Sequence, residues 1–402
     1  MIDSDFFIPK NKEGKNVTYM CGHSLGLMPK DVENILRIEL EKWANTGVEG
    51  HFSGHMPWLD FHSFATPHLA KLCGAKEHEV VAMGSLTNNI HLLLASFYKP
   101  VGKRNKILIE PHCFGSDVYA LKSHLNWHGL NADECLIETR ANTSGIVSMN
   151  DIEELFKSRG DEISIVFFPG VQYLTGQLFD LKKIADLAHQ HGALAGFDLA
   201  HAIGNVPLKL NEWNVDFAVW CSYKYLNSGP GGVGGIFVNE KHGLNSKTPK
   251  LSGWWGNKKE NRFYMSATFD PELGAEGWQL SNAPVLSLCA HIASLKIFEK
   301  QGYVENWFDK TKELNQKLRS GLKALIAKQL IELITPEDFH GAMISIRLLK
   351  HQAKEVEFEL KNLDVICDAR QPDIIRISCI PLFNDENDID HFLECFKKVL
   401  GI

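Results

Sequence analysis

Between residues 79 and 238 the chain alternates short apolar runs with segments of helical periodicity, and no other feature constrains its fold as tightly. The runs fall at 80–83, 106–110, 164–168, 193–198, 217–221 and 235–238, with amphipathic stretches such as 181–191 between several of them. Near-continuous apolar runs joined by helices predict an α/β architecture, a mainly parallel sheet buried under helices on both faces. In such sheets the ligand crevice lies at the carboxyl ends of the strands.

After Pro284 the pattern changes to two long helical stretches, 285–300 and 304–328, followed by short strands at 344–348 and 374–377. This predicts a large domain over 46–283 and a smaller α+β domain over 284–402. The first 45 residues, helical in period from 31 to 43, are too few to fold alone and are expected to pack on the small domain.

A net charge of -7 with no basic cluster argues against nucleic acid or an anionic membrane as partner. Any phosphate must therefore be held by helix ends and hydroxyls. The nine cysteines form no C-x-x-C pair and read as reduced, buried thiols. The start Met1-Ile-Asp-Ser-Asp places acids where a signal peptide carries bases, and no apolar run reaches membrane-span length, so a cytoplasmic enzyme is expected.

Two strand ends carry the chemistry. Asp198 closes the run 193–198, and Lys224 follows the run 217–221. An amine and a carboxylate so placed suit pyridoxal phosphate: the amine condenses with the aldehyde, and the carboxylate keeps the pyridine nitrogen protonated so that the ring accepts electrons. Alone, a lysine after a strand is more often a solvated loop charge, and an aspartate there a helix cap.

The surroundings add weight. Gly84-Ser-Leu-Thr-Asn-Asn89 precedes a helical run and suits a phosphate, although a plain N-cap by Ser85 or Thr87 fits equally. Phe114, in Pro111-His-Cys-Phe-Gly-Ser-Asp117, offers a face for a planar ring. The glycines of 229–235 lead into a strand instead of a helix, which favours a tight positive-φ turn over a dinucleotide loop. His51 and His55, like His124 and His128, are four apart but lack an accompanying ligand set, so no metal is expected. Ser222 and His201 lack the G-x-S-x-G context of a hydrolase elbow.

Five segments resemble the kynureninase family of fold type I pyridoxal-phosphate enzymes, related to class V aminotransferases. They are Cys21-Gly-His-Ser-Leu-Gly-Leu27, Met83-Gly-Ser-Leu-Thr-Asn-Asn-Ile-His-Leu-Leu-Leu94, Gly170-Val-Gln-Tyr-Leu-Thr-Gly-Gln177, Gly196-Phe-Asp-Leu-Ala-His-Ala-Ile-Gly-Asn205 and Trp220-Cys-Ser-Tyr-Lys-Tyr-Leu-Asn227. The resemblance spans nearly the whole chain. It implies a seven-stranded sheet in the large domain, pyridoxal 5'-phosphate as cofactor, and a homodimer whose active site is shared between subunits. The implied reaction is hydrolytic cleavage of kynurenine or 3-hydroxykynurenine to alanine and an anthranilate, a step of tryptophan catabolism toward pyridine nucleotides.

By position the resemblance makes Lys224 the Schiff-base lysine, Asp198 the pyridinium partner, Phe114 the stacking ring, and Leu86 and Thr87 the phosphate loop. His201 and Tyr223 match further cofactor contacts, Tyr223 also being the candidate proton relay. Trp254 and Asn282 match contacts from the second subunit, and Asp117 a second acid near the ring. Arg376 is expected to clamp the substrate carboxylate, since a guanidinium forks onto two oxygens. His51, Ser281 and Asn282 are expected at the aryl end, in the manner that favours the 3-hydroxy substrate. Two departures stand out: Gly115 replaces a proline after the stacking Phe, and Pro169 removes a hydroxyl. The competing readings are a cysteine desulfurase-like lyase or aminotransferase of the same fold, and a non-catalytic Rossmann-like binding module.

Overall fold

The computed structural model describes residues 5–402. Seven strands form the central sheet: β1 (Val80–Ala82), β2 (Lys106–Ile109), β3 (Leu136–Glu138), β4 (Ile163–Pro169), β5 (Leu194–Asp198), β6 (Phe217–Cys221) and β7 (Gly234–Val238). Their order is β1-β7-β6-β5-β4-β2-β3. Only β7 runs antiparallel to its neighbours, β1 and β6, and the remaining pairs are parallel. The expected mainly parallel sheet is thus present. Its edge strand β3 lies outside the apolar runs recognised in the sequence.

Period-two alternation explains why every residue of β6 is apolar. Ala218 and Trp220 enter the core on one face of the sheet, while Phe217 and Val219 enter the core on the other. Both faces are covered, so no strand position is left for a polar residue until the chain reaches the sheet edge.

The principal helices are α1 (Val32–Thr46), α2 (Leu86–Phe97), α3 (Gly115–Trp127), α4 (Leu181–Gln190), α5 (Val285–Lys300), α6 (Tyr303–Ala327), α7 (Ala353–Asn362) and α8 (Glu386–Val399). Helix α4 illustrates the local logic. The Asp180 carboxylate accepts the Lys183 N–H at 3.0 Å and caps the first turn. Leu181, Ile184, Ala185 and Ala188 then recur at helical spacing and are buried against the sheet.

A second, antiparallel sheet has the order β8-β9-β11-β10, from β8 (Ile331–Leu333), β9 (Met343–Leu348), β10 (Asp368–Arg370) and β11 (Ile374–Ser378). Its core joins Ile344, Ile346, Ile375 and Ile377 to Leu314, Leu318 and Leu322 of α6 and Phe392 of α8. The core does not divide at residue 284. Leu288, Ile292 and Phe298 of α5, with Val304 and Trp307 of α6, pack into the large-sheet core, and only from Leu314 onward does α6 serve the small one.

The N-terminal segment also divides. Thr18–Tyr19 pairs in parallel with Val365–Ile366 and Met20 enters the small core, whereas Ile35 of α1 enters the large core and α1 packs along α5. Among the described residues no helix is long and apolar enough to cross a membrane.

Candidate active site

The carboxyl ends of β2, β4, β5 and β6 open onto one cleft. Six of the expected site residues line it, Leu86, Phe114, Asp117, Asp198, His201 and Lys224. Lys224 Nζ lies 5.8 Å from the Phe114 ring centroid and 5.8 Å from that of Tyr223. Phe114 meets Tyr173 edge-on at 5.0 Å. Phe114, Asp198 and Lys224 are therefore assembled by one chain.

Three carboxyl groups share this cleft with one lysine, and the sheet buries all three. Asp198, Asp117 and Glu110 are buried, and Glu110, which directly follows β2, was not among the residues expected from sequence. Desolvating an unpaired carboxylate costs several kcal/mol, so each acid resists ionisation. Burial raises Asp198 above the usual carboxylate range, while the Lys224 charge and the Ala200 N–H, donated to Oδ1 at 2.8 Å, pull it back. Asp117 is pushed well above that range by burial and then by the Asp198 charge. Asp117 is therefore the weaker acid of the pair. Burial also holds Glu110 well up, and its Oε2 has no partner.

His201, in the turn after β5, is driven well below its ordinary value by burial and then by Lys224 and Arg376, so it is neutral. Its Nδ1 is buried without a hydrogen-bond partner, an atom that a bound group would satisfy. The Tyr223 phenol is raised by burial and by Cys221 beside it.

At the other end of the cleft stands the N-terminus of α2. Ser85 occupies the N-cap position but makes no side-chain capping bond, so the first-turn N–H groups of Leu86 and Thr87 remain open to an anion. Gly84 turns the chain at φ +56°, and a Cβ there would overlap the Asn89 side chain. Asn89 in turn donates to the Met83 carbonyl at 2.8 Å and braces the loop.

The Lys224 loop is held from the N-terminal segment. Gly26 N–H donates to the Tyr223 carbonyl at 2.8 Å, and Leu27 N–H to Asn227 Oδ1 at 3.0 Å. Only glycine fits at position 26, because a Cβ would meet Asn227 and the Lys224 carbonyl. Gly229 and Gly231 turn at φ +79° and +68° before β7, the tight excursion expected of that glycine run.

Arg376 sits on β11, an interior strand, and only 1% of it is exposed. Its Nη1 donates to the Tyr173 carbonyl at 2.6 Å and its Nε to Asp368 Oδ1 at 2.9 Å. Tyr173 itself lines the cleft, so the guanidinium stands directly behind the site.

Four expected residues are not brought to the cleft of the same chain. Trp254 is 47% exposed, with its indole N–H on the Arg262 carbonyl at 3.0 Å. Ser281 and Asn282 are exposed. His51 is edge-on to Trp58 at 5.2 Å, with Nδ1 3.1 Å from the Val48 carbonyl. Next to them Phe52 and Phe263 meet at 6.5 Å and Phe263 reaches Trp254 at 5.6 Å, an exposed aromatic face.

The two departures are sterically mild. A Cβ at Gly115 would meet only the Tyr119 ring at 3.5 Å, and Pro169 lines the cleft without contributing a hydroxyl. Cys21, His23 and Asp368 offer ligand atoms within 4.8 Å of one another. Arg370 and Arg376 already neutralise Asp368, and two guanidinium groups repel a dication, so the cluster is an arginine–carboxylate network.

Glu110 was legible in principle, since it ends a strand run by the same rule that selected Asp198. Asp368 and Tyr173 gave no such signal, because their relation to Arg376 exists only after the small sheet docks on the large one.

Residues 26–392 match the family model described as Aminotransferase class-V. The chain is 43% identical over 401 residues to a kynureninase of Flavobacterium psychrophilum, covering 98% of this chain and 93% of the relative. It is 40% identical to a kynureninase of Stenotrophomonas maltophilia, covering 99% and 95%. A kynureninase of Myxococcus xanthus is 42% identical over 398 residues, with 98% and 92% covered. In fold it is similar to an apo cysteine desulfurase from Thermococcus onnurineus NA1, with a TM-score of 0.78 at 16% identity over 96% of this chain and 94% of the other. It is similar also to a C-DES mutant with glycine covalently linked to its PLP cofactor, with a TM-score of 0.79 at 16% identity over 96% and 97%. The architecture is that of the fold type I enzymes, and the chain belongs to the kynureninase family within the class-V aminotransferases.

Proposed function

We propose that the protein is a pyridoxal-phosphate-dependent hydrolase that cleaves the Cβ–Cγ bond of kynurenine or 3-hydroxykynurenine, releasing alanine and the corresponding anthranilate. The observation that carries this reading is identity above 40% to kynureninases over nearly the full chain, with an amine and an acid at adjacent strand ends. The cleft suits the cofactor on structural grounds. An open helix N-terminus, an aromatic face, a buried acid and an unpartnered His201 Nδ1 converge on it. When bound, pyridoxal phosphate supplies a ring that accepts electrons from the substrate carbon.

Each residue has a separate task in this reading. Lys224 holds the cofactor aldehyde carbon, and its amine moves the proton at substrate Cα. Asp198 holds a proton at the pyridine nitrogen, and neutral Asp117 orients Asp198 while keeping it the more acidic of the pair. Leu86 and Thr87 would hold the phosphate, Phe114 would cover the ring, and His201 Nδ1 would meet a polar atom of the cofactor. Tyr223, whose phenol keeps its proton to high pH, delivers that proton at the side-chain carbonyl. Arg376 binds the substrate carboxylate.

The exposed positions of Trp254, Ser281 and Asn282, with half-buried His51 beside them, support a homodimer in which each chain completes the aryl pocket of the other. A polar pocket of His51, Ser281 and Asn282 favours the 3-hydroxy substrate. The reading places the enzyme in the cytoplasm, in tryptophan breakdown toward pyridine nucleotides. The test is fluorescence detection of anthranilate or 3-hydroxyanthranilate from purified holoenzyme given each substrate. Stoichiometric alanine and aromatic acid are expected, and transamination or sulfur release in place of both overturns the assignment.

A further inference from the structure

We propose that Asp368 is a positioning residue that aims Arg376 at the substrate carboxylate, and that Arg370 keeps this clamp cationic while Asp368 is bound to it. The inference deepens the reading of Arg376 above and rests on it.

The geometry begins in the small sheet. Strands β10 and β11 pair antiparallel with Asp368 directly opposite Arg376, so the two side chains share one face of the sheet. Arg376 Nε donates to Asp368 Oδ1 at 2.9 Å, and Nη2 lies 2.8 Å from the same oxygen. One edge of the guanidinium is thereby fixed. On the remaining edge Nη1 reaches the Tyr173 carbonyl at 2.6 Å, and Nη2 has only a longer contact of 3.3 Å to Ser24 Oγ. That edge adjoins the cleft through Tyr173, and there a ligand carboxylate meets the planar pair of donors.

A carboxylate that close would ordinarily cancel the clamp. Arg370 prevents this: its Nε lies 3.0 Å from Asp368 Oδ1 and its Nη2 donates to Oδ2 at 3.4 Å, while Ser24 Oγ also donates to Oδ2 at 3.1 Å. Two guanidinium groups against one carboxylate leave one positive charge in surplus. The other titratable groups facing the cluster leave that surplus in place, the Glu357 carboxylate being paired with Lys354 Nζ at 2.7 Å. His23 and His201 are held neutral by burial first, His23 then by Arg376 and His201 then by Lys224 and Arg376. The Cys21 thiol is pushed up to about 11, by burial and then by Asp368. Glu357 stands behind the network, its Oε1 taken by the Ala369 N–H at 3.1 Å. A monoanion therefore neutralises the site, and a neutral ligand does not.

L-Alaninamide carries a neutral carboxamide where L-alanine has its carboxylate, so the test titrates holoenzyme with each and follows the cofactor absorbance. Wild type is expected to bind alanine much the more tightly. Asp368→Asn should weaken alanine by about tenfold to a hundredfold, the scale of a misplaced binding group, and leave alaninamide unchanged. Arg370→Gln should weaken alanine severalfold with the same indifference to alaninamide, and this variant stands independently if Asp368→Asn fails to fold. Unaltered discrimination in both variants, or equal loss of both ligands, overturns the proposal. If discrimination depends on Asp368 while wild type fails to cleave kynurenine, the clamp stands and the substrate assignment falls.

Discussion

The cleft around Lys224 and the aromatic face around Trp254 are built to different degrees. In the cleft, Asp117, Asp198 and His201 are buried, and the lysine loop is tied down by Gly26 and Leu27. On the aromatic face, Phe52, Trp254, Phe263, Ser281 and Asn282 are exposed. The first region is complete because strand ends must deliver their side chains to the sheet edge. The second is apolar surface of the kind that marks an interaction site. In the proposed reading, bond chemistry therefore belongs to a single chain, and recognition of the aryl group waits on a second one.

The largest expected effect strikes the complete region. Lys224→Ala should abolish steady turnover and the absorbance band of bound cofactor, and borohydride should then trap no cofactor on the protein. A coloured, active variant would break the contrast at its root. An intermediate effect tests the incomplete region. Lys224→Ala and Asn282→Ala, each impaired alone, should regain about a quarter of wild-type activity when unfolded and refolded together, because random pairing into two-fold dimers leaves one site in four intact. Recovery no greater than that of Asn282→Ala alone would show that each chain completes its own pocket.

The smallest effect concerns stability within the buried cleft. Glu110 has its folded pKa raised by burial, so its proton stabilises the fold fully below the ordinary Glu value, and this contribution is lost as pH rises toward the folded value. Glu110→Gln removes that dependence. The stability of the apo variant relative to wild type should therefore grow between pH 5 and pH 9, by up to about 1.4 kcal/mol per pH unit inside the titration window. Urea unfolding at several pH values measures it, and parallel curves would place Glu110 in contact with a compensating cation.

Much of the large domain was legible because its signals are local. A strand buried on both faces has to be apolar, and β4, β5 and β6 could be read directly for that reason. The residues ending such strands are set at the ligand edge by geometry, which selected Asp198 and selects Glu110. Strands β3, β8 and β10 carry three residues each, lie at sheet edges and include charged residues, unlike the equally short but wholly apolar β1, so their pattern is too brief to register. Helix α5 illustrates a different loss. Leu288, Ile292, Ala293, Leu295 and Phe298 wrap apolar residues around its circumference, and composition alone does not say which core takes them.

The electrostatics were the least legible part. Arg376 could be named from its segment, but its fixed edge depends on Asp368, eight positions away and opposite it only through β-pairing. Likewise the Asp198 charge raises Asp117 although 81 residues separate them.

From sequence alone came the strand ends, the placing of Lys224 and Asp198 at them, and the glycine turn before α2, since each follows from a pattern within a few consecutive residues. The burial of three carboxyls beside one lysine, the pairing of Arg376 with Asp368 and the separation of the aromatic face from the cleft came only with the tertiary structure. These depend on desolvation and on distances between residues far apart in the chain, quantities that exist only once the sheets have packed.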